Sequence, residues 1–549
     1  MPKLFAKFQT PEPAPGSVPP PPETANLRIG LVALVGLSAA SLFGYDLGFI
    51  GGTIALPSFI KDFHYDHRSA ADLANFQSNV VAVFQAGCIF GCLFTAPLSD
   101  RFGRRAALML TSFIYIIGCI LMTVAGVGGA NASALLLAGR VVSGWAVGAS
   151  SMLAPVFVAE SSPPHLRGRL VGCYEIGVQA GTCLGFWIPR SPEQNIDFYL
   201  LSQYISLKHL KNTVAWRMPI ALQIVFGGLL SLLLLFVKET PRYIAVKQGA
   251  VAAESALARL RKLPASHPYV QEELLGILEQ IEHEKTQKAG SYLQIIRESF
   301  GPSNRRRLLT GMLIMVSFQM SGTNAINYYA PRIFKSLGLK GTSSSLFASG
   351  VYGLVRLVAV IIAMAIVSDR AGRVSMMMVG GAGMAVCLWI VGALIKTHPV
   401  AAASKVISPS SYAAITLIYI YAVFFCFSYA GIPWVYCSEI FPLRIRSFNV
   451  SITTSTHWAF NLMLGKSVPF MISNIGYATW FVFAACLTVS SVWLYFCVPE
   501  TRGVPLEQMD QLFGGPSPAE IHAEAMERWA GQDKPESPLH KEDASMSDV

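Results

Sequence analysis

Two charges of opposite sign interrupt apolar runs. Asp46 lies in "SLFGYDLGFIGGTIALPSF" (41–59), which is otherwise apolar, Gly or hydroxyl, and Arg140 lies in "LLLAGRVVSGW". A charge at the centre of a membrane helix costs about 2.5–3.5 kcal/mol on insertion scales, so such a residue usually faces a polar cavity and marks an ion or solute pathway. A third run carries Glu175, Gln179 and Thr182, spaced by four and three and therefore on one helical face. The chemistry these residues offer is proton exchange and hydrogen bonding to a polar solute. An enzyme is a poor class, because no nucleophile, metal-ligating cluster or nucleotide loop emerges. The glycines of "GVGGANAS" follow no strand and mean a turn. No cofactor and no metal are expected.

Such charges need apolar segments to hold them. The chain has 549 residues, 53% hydrophobic and 13% charged, with repeated runs of about twenty apolar residues, each long enough to cross a roughly 30 Å hydrocarbon core. An all-α membrane protein is expected, with twelve transmembrane helices near 28–50, 79–98, 107–127, 134–157, 170–188, 217–237, 307–329, 346–368, 375–395, 411–436, 450–473 and 477–498. The net charge of +10 comes from short Arg-bearing loops such as "SDRFGRR", "PPHLRGR", "SDRAGR" and "PLRIRS". That is the positive-inside pattern rather than a nucleic-acid surface. It places both termini and the long loop 238–306 in the cytoplasm, and a monomer in the lipid bilayer is expected.

Within that loop, "AAESALARLRKL" and "VQEELLGILEQIEHEK" read as surface helices. Residues 1–27, rich in Pro, read as a disordered arm, and 499–549 as a polar tail. The ten cysteines fall in or beside apolar runs and read as packing residues. Asn131 heads a glycosylation sequon close to a span.

The chain repeats itself in parallel. Asp100 to Arg105 after the second span echoes Asp369 to Arg373 after the eighth, Glu160 with Arg167 echoes Glu439 with Arg446, and "ETPR" (239–242) echoes "ETRG" (500–503). Two six-helix halves, 28–237 and 307–498, joined by 238–306 imply alternating access around a site between them. Asp100, Arg104, Glu160, Arg167, Asp369, Arg373, Glu439 and Arg446 are expected to form a conformational gate, with ion pairs that hold in one state and break in the other.

The residues carry a resemblance to the sugar porter branch of the major facilitator superfamily, through "GYDLGFIGG", "DRFGRR", "GRVVSGWAVGASSMLAPVFVAESSPPHLRGRL", "ETPRY", "QMSGTNAINYYAPRIF", "DRAGR", "GIPWVYCSEIFPLRIRS" and "PETRGVPLEQM". Within it, "RGRLVGCYEIGVQAG" and "GTNAINYYAPRIF" look most like fungal quinate permeases and sugar:proton symporters. The resemblance implies the major facilitator fold, and it implies substrate contacts at Glu175, Gln179, Gln319, Asn324, Tyr328, Trp434 and His457. Glu175 stands where the family commonly has a Gln, Phe318 where another Gln is common, and His457 where an amide is common. Asn327 and Tyr329 are implied at an outer gate, and Gly431 and Pro433 at a bend beside Trp434. Asp46 and Arg140 are implied to lie together as the proton-coupling pair.

The expected function is therefore proton-coupled import of a small polyhydroxylated solute, a sugar or a sugar-like acid such as quinate, across the cell membrane. An uncoupled facilitator and a transporter-like nutrient receptor are the alternatives. Residues 189–215 are longer and more polar than the family's loop there, either an insertion or an artefact of the gene's assignment.

Overall fold

The apolar runs become helices because, in lipid, every backbone polar group must find its partner within the segment. The computed structural model describes residues 19, 21–127, 131–187, 213–287, 292–339, 342–366, 372–398, 408–502 and 513. The first set is α1 (Leu27–Ile54), the short α2 (Pro57–Asp62), α3 (Ala70–Phe102), α4 (Arg104–Thr123), α5 (Ala132–Ser161), α6 (Arg167–Trp187) and α7 (Val214–Phe236). Four helices connect the halves: α8 (Pro241–Gln248), α9 (Ala250–Arg261), α10 (Pro268–Gln287) and α11 (Tyr292–Ser299). The second set is α12 (Pro302–Met320), α13 (Thr323–Ser336), α14 (Thr342–Ile366), α15 (Arg373–Thr397), α16 (Pro409–Phe427), α17 (Ile432–Glu439), α18 (Leu443–Asn474) and α19 (Ala478–Cys497).

Nine segments among the described residues are long and apolar enough to cross a membrane. The remaining long segments, α6, the α12–α13 pair and α18, carry the buried polar residues Glu175, Gln179, Gln319, Asn324, His457 and Asn461, which dilute their hydropathy. Together they make the twelve expected spans, so the least apolar spans hold most of the candidate site.

Two spans are broken rather than continuous. The seventh, expected unbroken over 307–329, divides at Gly322, whose φ of +88° puts it in the left-handed region. The tenth divides between α16 and α17, with Gly431 as N-cap and Pro433 in the first turn of α17. A Cβ at Gly322 would stand 2.9 Å from Phe483, and αL costs a non-Gly residue about 1–2 kcal/mol. Gly322→Ala is therefore expected to lower the melting temperature of purified protein by several degrees and to weaken solute affinity. An unchanged melting curve would show that the break has no need of Gly.

The helices pack in two sets that touch along α3 with α18, α6 with α14, and α1 with α13. Within the first set α1 and α6 approach closely. A Cβ at Gly48 would fall 2.3 Å from the Thr182 carbonyl oxygen, and such small-residue seams are how membrane helices gain packing without a hydrophobic drive.

The loop helices form a small core of Ala245, Ala253, Leu257, Val270, Leu274 and Ile281. It is tied to the bundle by Arg261, which donates through Nε to Glu273 at 2.9 Å and through Nη1 to the Ser161 carbonyl at the end of α5 at 2.8 Å. The last residues of the arm expected to be disordered are folded. Asn26 caps α1, accepting from the Arg28 and Ile29 amides, and its Nδ2 donates to the Leu260 carbonyl at 3.1 Å. The reason is local: an Asn directly before an apolar helix satisfies orphan amides. Asn131 likewise caps α5, accepting from the Ala134 amide at 3.1 Å.

Candidate functional site

At the centre of the bundle a continuous hydrogen-bond chain crosses from one half to the other. Arg356 of α14 donates through Nε to Gln179 Oε1 at 2.8 Å, and Gln179 Nε2 donates to Glu175 Oε1 at 2.6 Å. In the other direction Arg356 Nη1 donates to Asn327 Oδ1 at 2.6 Å. Asn327 then donates to Asn324 Oδ1 at 3.2 Å, Asn324 to Gln319 Oε1 at 3.0 Å, and Gln319 Nε2 lies 2.9 Å from His457 Nε2. A guanidinium can only donate, so it fixes the direction of every amide beyond it. The consequence falls on His457, whose Nε2 must accept and which is therefore neutral with its proton on Nδ1.

The chain borders a narrow cavity lined from both halves, by Phe43, Leu47, Ser151, Tyr174, Glu175, Val178, Gln179, Phe318, Asn324, Arg356, Phe425 and Trp434. Its volume is about 20 Å³, room for about one water and too little for a six-membered ring. Trp434 and Phe318 both pack on His457, with ring centres 4.9 and 4.8 Å from it. Of the contacts expected from sequence, Glu175, Gln179, Asn324 and Trp434 border the cavity, while Gln319 stands one hydrogen bond behind Asn324 and His457 two. Tyr328 does not border it. Its hydroxyl accepts from Asn461 at 3.2 Å. Asn327, expected at an outer gate, belongs to the central chain instead, because Arg356 draws its side-chain oxygen inward. Tyr329 donates to the Gly465 carbonyl at 2.5 Å.

Asp46 and Arg140 form a bidentate pair, Arg140 Nη1 to Oδ1 and Nη2 to Oδ2, with both side chains almost wholly buried. Arg140 has two further supports: Nε donates to the Val80 carbonyl at 3.0 Å, and the guanidinium lies 4.3 Å from the Phe84 ring centre. Neither charge borders the cavity, but Phe43 and Leu47, on the same helix as Asp46, do.

The loop charges pair inside each half. Arg104 Nε lies 3.2 Å from Glu160 and its Nη1 3.3 Å from Asp100, and Thr240 donates to Glu160 at 2.7 Å. The second half repeats the pattern, with Arg373 3.4 Å from Glu439 and Thr501 donating to Glu439 at 2.9 Å. Asp369 lies outside the described residues, as does nearly all of 189–215. Arg446 donates to the Phe441 carbonyl at 3.2 Å, and the Arg167 side chain is exposed.

Two carboxylates complete this architecture. Glu239 accepts from the Arg104 and Arg105 amides at the start of α4, and Glu500 from the Arg373, Val374 and Ser375 amides at the start of α15. Each caps a helix N-terminus, satisfying orphan amides and complementing the helix dipole.

The family described as sugar (and other) transporter matches over residues 32–513. The chain belongs to that family. Among the transporter's relatives, a protein named probable quinate permease from Aspergillus niger is 37% identical over 499 residues, covering 90% of this chain and 89% of its own. A protein of the same name from Aspergillus flavus is 36% identical, with 90% of each chain covered. Solved structures show the same fold. The proton:xylose symporter XylE bound to 6-bromo-6-deoxy-D-glucose aligns at a TM-score of 0.73 with 24% identity, over 89% of this chain and 99% of that one. A partially occluded inward-open form of the xylose transporter XylE from E. coli aligns at 0.69 with 23% identity, over 87% and 100%. The transporter thus has the major facilitator fold of two six-helix repeats.

Sequence reasoning missed two features of this transporter's site. Arg356 stands within "YGLVRLVAVI", a charge in an apolar run of the same kind that singled out Asp46 and Arg140. Tyr174, next to Glu175, borders the cavity, and its hydroxyl has no hydrogen-bond partner among the described residues.

Proposed function

We propose that the transporter is a proton symporter of the cell membrane that imports a small polyhydroxylated solute, a sugar or a sugar-like acid such as the quinate named for its relatives. The observation that carries this is a fully buried carboxylate–guanidinium pair, Asp46 with Arg140, on a bundle that also holds a narrow cavity lined from both halves. Cation-coupled carriage needs one titratable group apart from the solute contacts yet on a helix that lines them, and α1 supplies both.

In the cycle proposed here, the end bearing α8 to α11 is cytoplasmic. The opposite end is closed in this conformation, where Lys466 of α18 reaches Asn79 of α3 at 2.6 Å and α1 lies against α13. Rocking of the halves opens each end in turn. Glu175, Gln179, Asn324 and Trp434 hold the solute, with Gln319, Tyr328 and His457 supporting them from behind. A cavity of about 20 Å³ must widen to admit any such solute.

The test is uptake of labelled glucose, xylose, galacturonate and quinate in a transporter-deficient host, with the pH of the medium recorded. Solute-dependent alkalinisation is expected for at least one compound. Uptake with no pH change would leave a facilitator, and no uptake of any would refute the reading.

Asn324→Ala gives a sharper check on the site. It strands Gln319 Oε1 and an Asn327 N–H inside the bundle, at about 1–3 kcal/mol for each group left unsatisfied. The half-saturating solute concentration is expected to rise about ten-fold or more at normal surface expression. Unchanged uptake at low solute concentration would remove Asn324 from the site.

A further inference from the structure

Arg356 is a buried cation with no anion of its own among the described residues. Its side chain is 2% exposed, and its hydrogen bonds go only to neutral acceptors: Gln179, Asn327, Thr323 at 3.1 Å and Tyr352 at 3.2 Å. The ring centres of Phe425 and Tyr352 lie 4.8 and 5.5 Å from the guanidinium carbon. No carboxylate among the described residues pairs with it. Glu175, in the same cavity wall, is held off by the Gln179 amide, which bonds both.

Arg140 shows how this bundle treats a guanidinium paired with protein, giving it a bidentate carboxylate and a backbone carbonyl. Arg356 receives neither, although a buried charge is costly unless paired. The two differ in one further respect, that Arg356 borders the cavity and Arg140 does not. Its Nε and Nη1 are committed to the protein, whereas Nη2 carries no hydrogen bond to any described residue. A guanidinium held from one edge, with its remaining nitrogen free at a cavity wall, is suited to receive a carboxylate.

The rest of the wall suits the remainder of such a molecule. Glu175, Gln179, Asn324 and Tyr174 present groups for hydroxyls, and Phe43, Leu47, Phe425 and Trp434 present apolar faces for ring C–H surface. A neutral sugar would satisfy the hydroxyl contacts but leave the cation without an anion.

We propose that Arg356 is the carboxylate anchor of the transport site and that the transporter carries small hydroxylated carboxylic acids in preference to neutral sugars. This rests on the symporter reading above and narrows it to one solute class. No covalent step is involved; the acid enters as its anion and replaces water on the guanidinium.

The test uses full-length protein in proteoliposomes, with quinate, its methyl ester, glucose and xylose as probes. Wild type is expected to bind quinate at least ten-fold more tightly than the ester. Arg356→Gln, which also removes the donors to Gln179 and Asn327, is expected to weaken both ligands but to cost quinate about a hundred-fold and the ester far less, so that the acid-over-ester ratio falls to about one, with Arg356→Lys between. Equal affinity of wild type for acid and ester, or equal loss of both in Arg356→Gln, would overturn the anchor; the first comparison stands even if the variants do not fold. Movement of glucose or xylose but not quinate would leave the transporter reading intact and refute this one. Movement of none of the four would refute both.

Discussion

Asp46→Asn is expected to abolish proton-driven accumulation while leaving exchange of solute down its own gradient. The substitution keeps the shape of the side chain and removes its ability to ionise. In this conformation the carboxyl group accepts from two nitrogens of Arg140. In the proposed cycle an arriving proton parts the pair, which would leave Arg140 with the Val80 carbonyl and the Phe84 face. The same geometry predicts an asymmetry in stability. Breaking a buried pair by removing one partner costs about 3–5 kcal/mol when the other charge is left uncompensated. Arg140 cannot give up its proton, whereas Asp46 can accept one. Asp46→Asn should therefore lower the melting temperature more than Arg140→Leu, although both stop accumulation. The measurement is uptake in vesicles with an imposed pH gradient, wild type beside the two variants, together with melting curves. If Asp46→Asn accumulates solute above equilibrium as wild type does, the pair is structural and the symporter reading fails.

Each charge of that pair was legible in the chain because a charge inside an apolar run is expensive wherever it stands, whereas the pairing itself came from the family resemblance. Span positions were legible for a similar reason, since run length reflects bilayer thickness. Arg356 carried the same signal and went unread, because it lies in a span whose other residues gave no cue to a site. The breaks in the seventh and tenth spans differ in legibility. "GIP" announces one through Pro433, whereas the other depends on a single φ at Gly322, and Gly is tolerated in many continuous membrane helices. The caps at Glu239 and Glu500 were visible only as a repeated motif. Their role depends on the chain returning, after several intervening spans, to the N-terminus of α4 or α15, and no local pattern encodes that return. The placing of Asn327 in the centre rather than at a gate has the same origin, since its partner is 29 residues away.

Gly51→Val is expected to abolish transport while preserving solute binding from the side of the membrane opposite α8 to α11. Gly51 lies near the end of α1 where that helix meets α13, and a Cβ there would stand 2.2 Å from the Tyr328 carbonyl oxygen and 3.5 Å from that of Asn327. The first separation is impossible for real atoms, and the obstacle is backbone, so no rotamer change can relieve it. The two helices belong to different halves, so they can separate by the motion that opens this end of the bundle. The steric penalty then falls on the closed state alone. Overpacking of this kind costs about 1–3 kcal/mol, and a differential cost of that size shifts a two-state population by about 5- to 150-fold. Valine belongs at the upper end, because its branched Cβ adds two methyl groups where even one carbon does not fit. A binding competent but transport-dead protein is the signature of a blocked conformational change rather than of a damaged site. Solute binding to whole cells, transport in the same cells and the melting temperature of the purified variant would be measured together. Wild-type transport by Gly51→Val would mean that α1 and α13 need not meet during the cycle, and loss of binding along with transport would place Gly51 in the site itself.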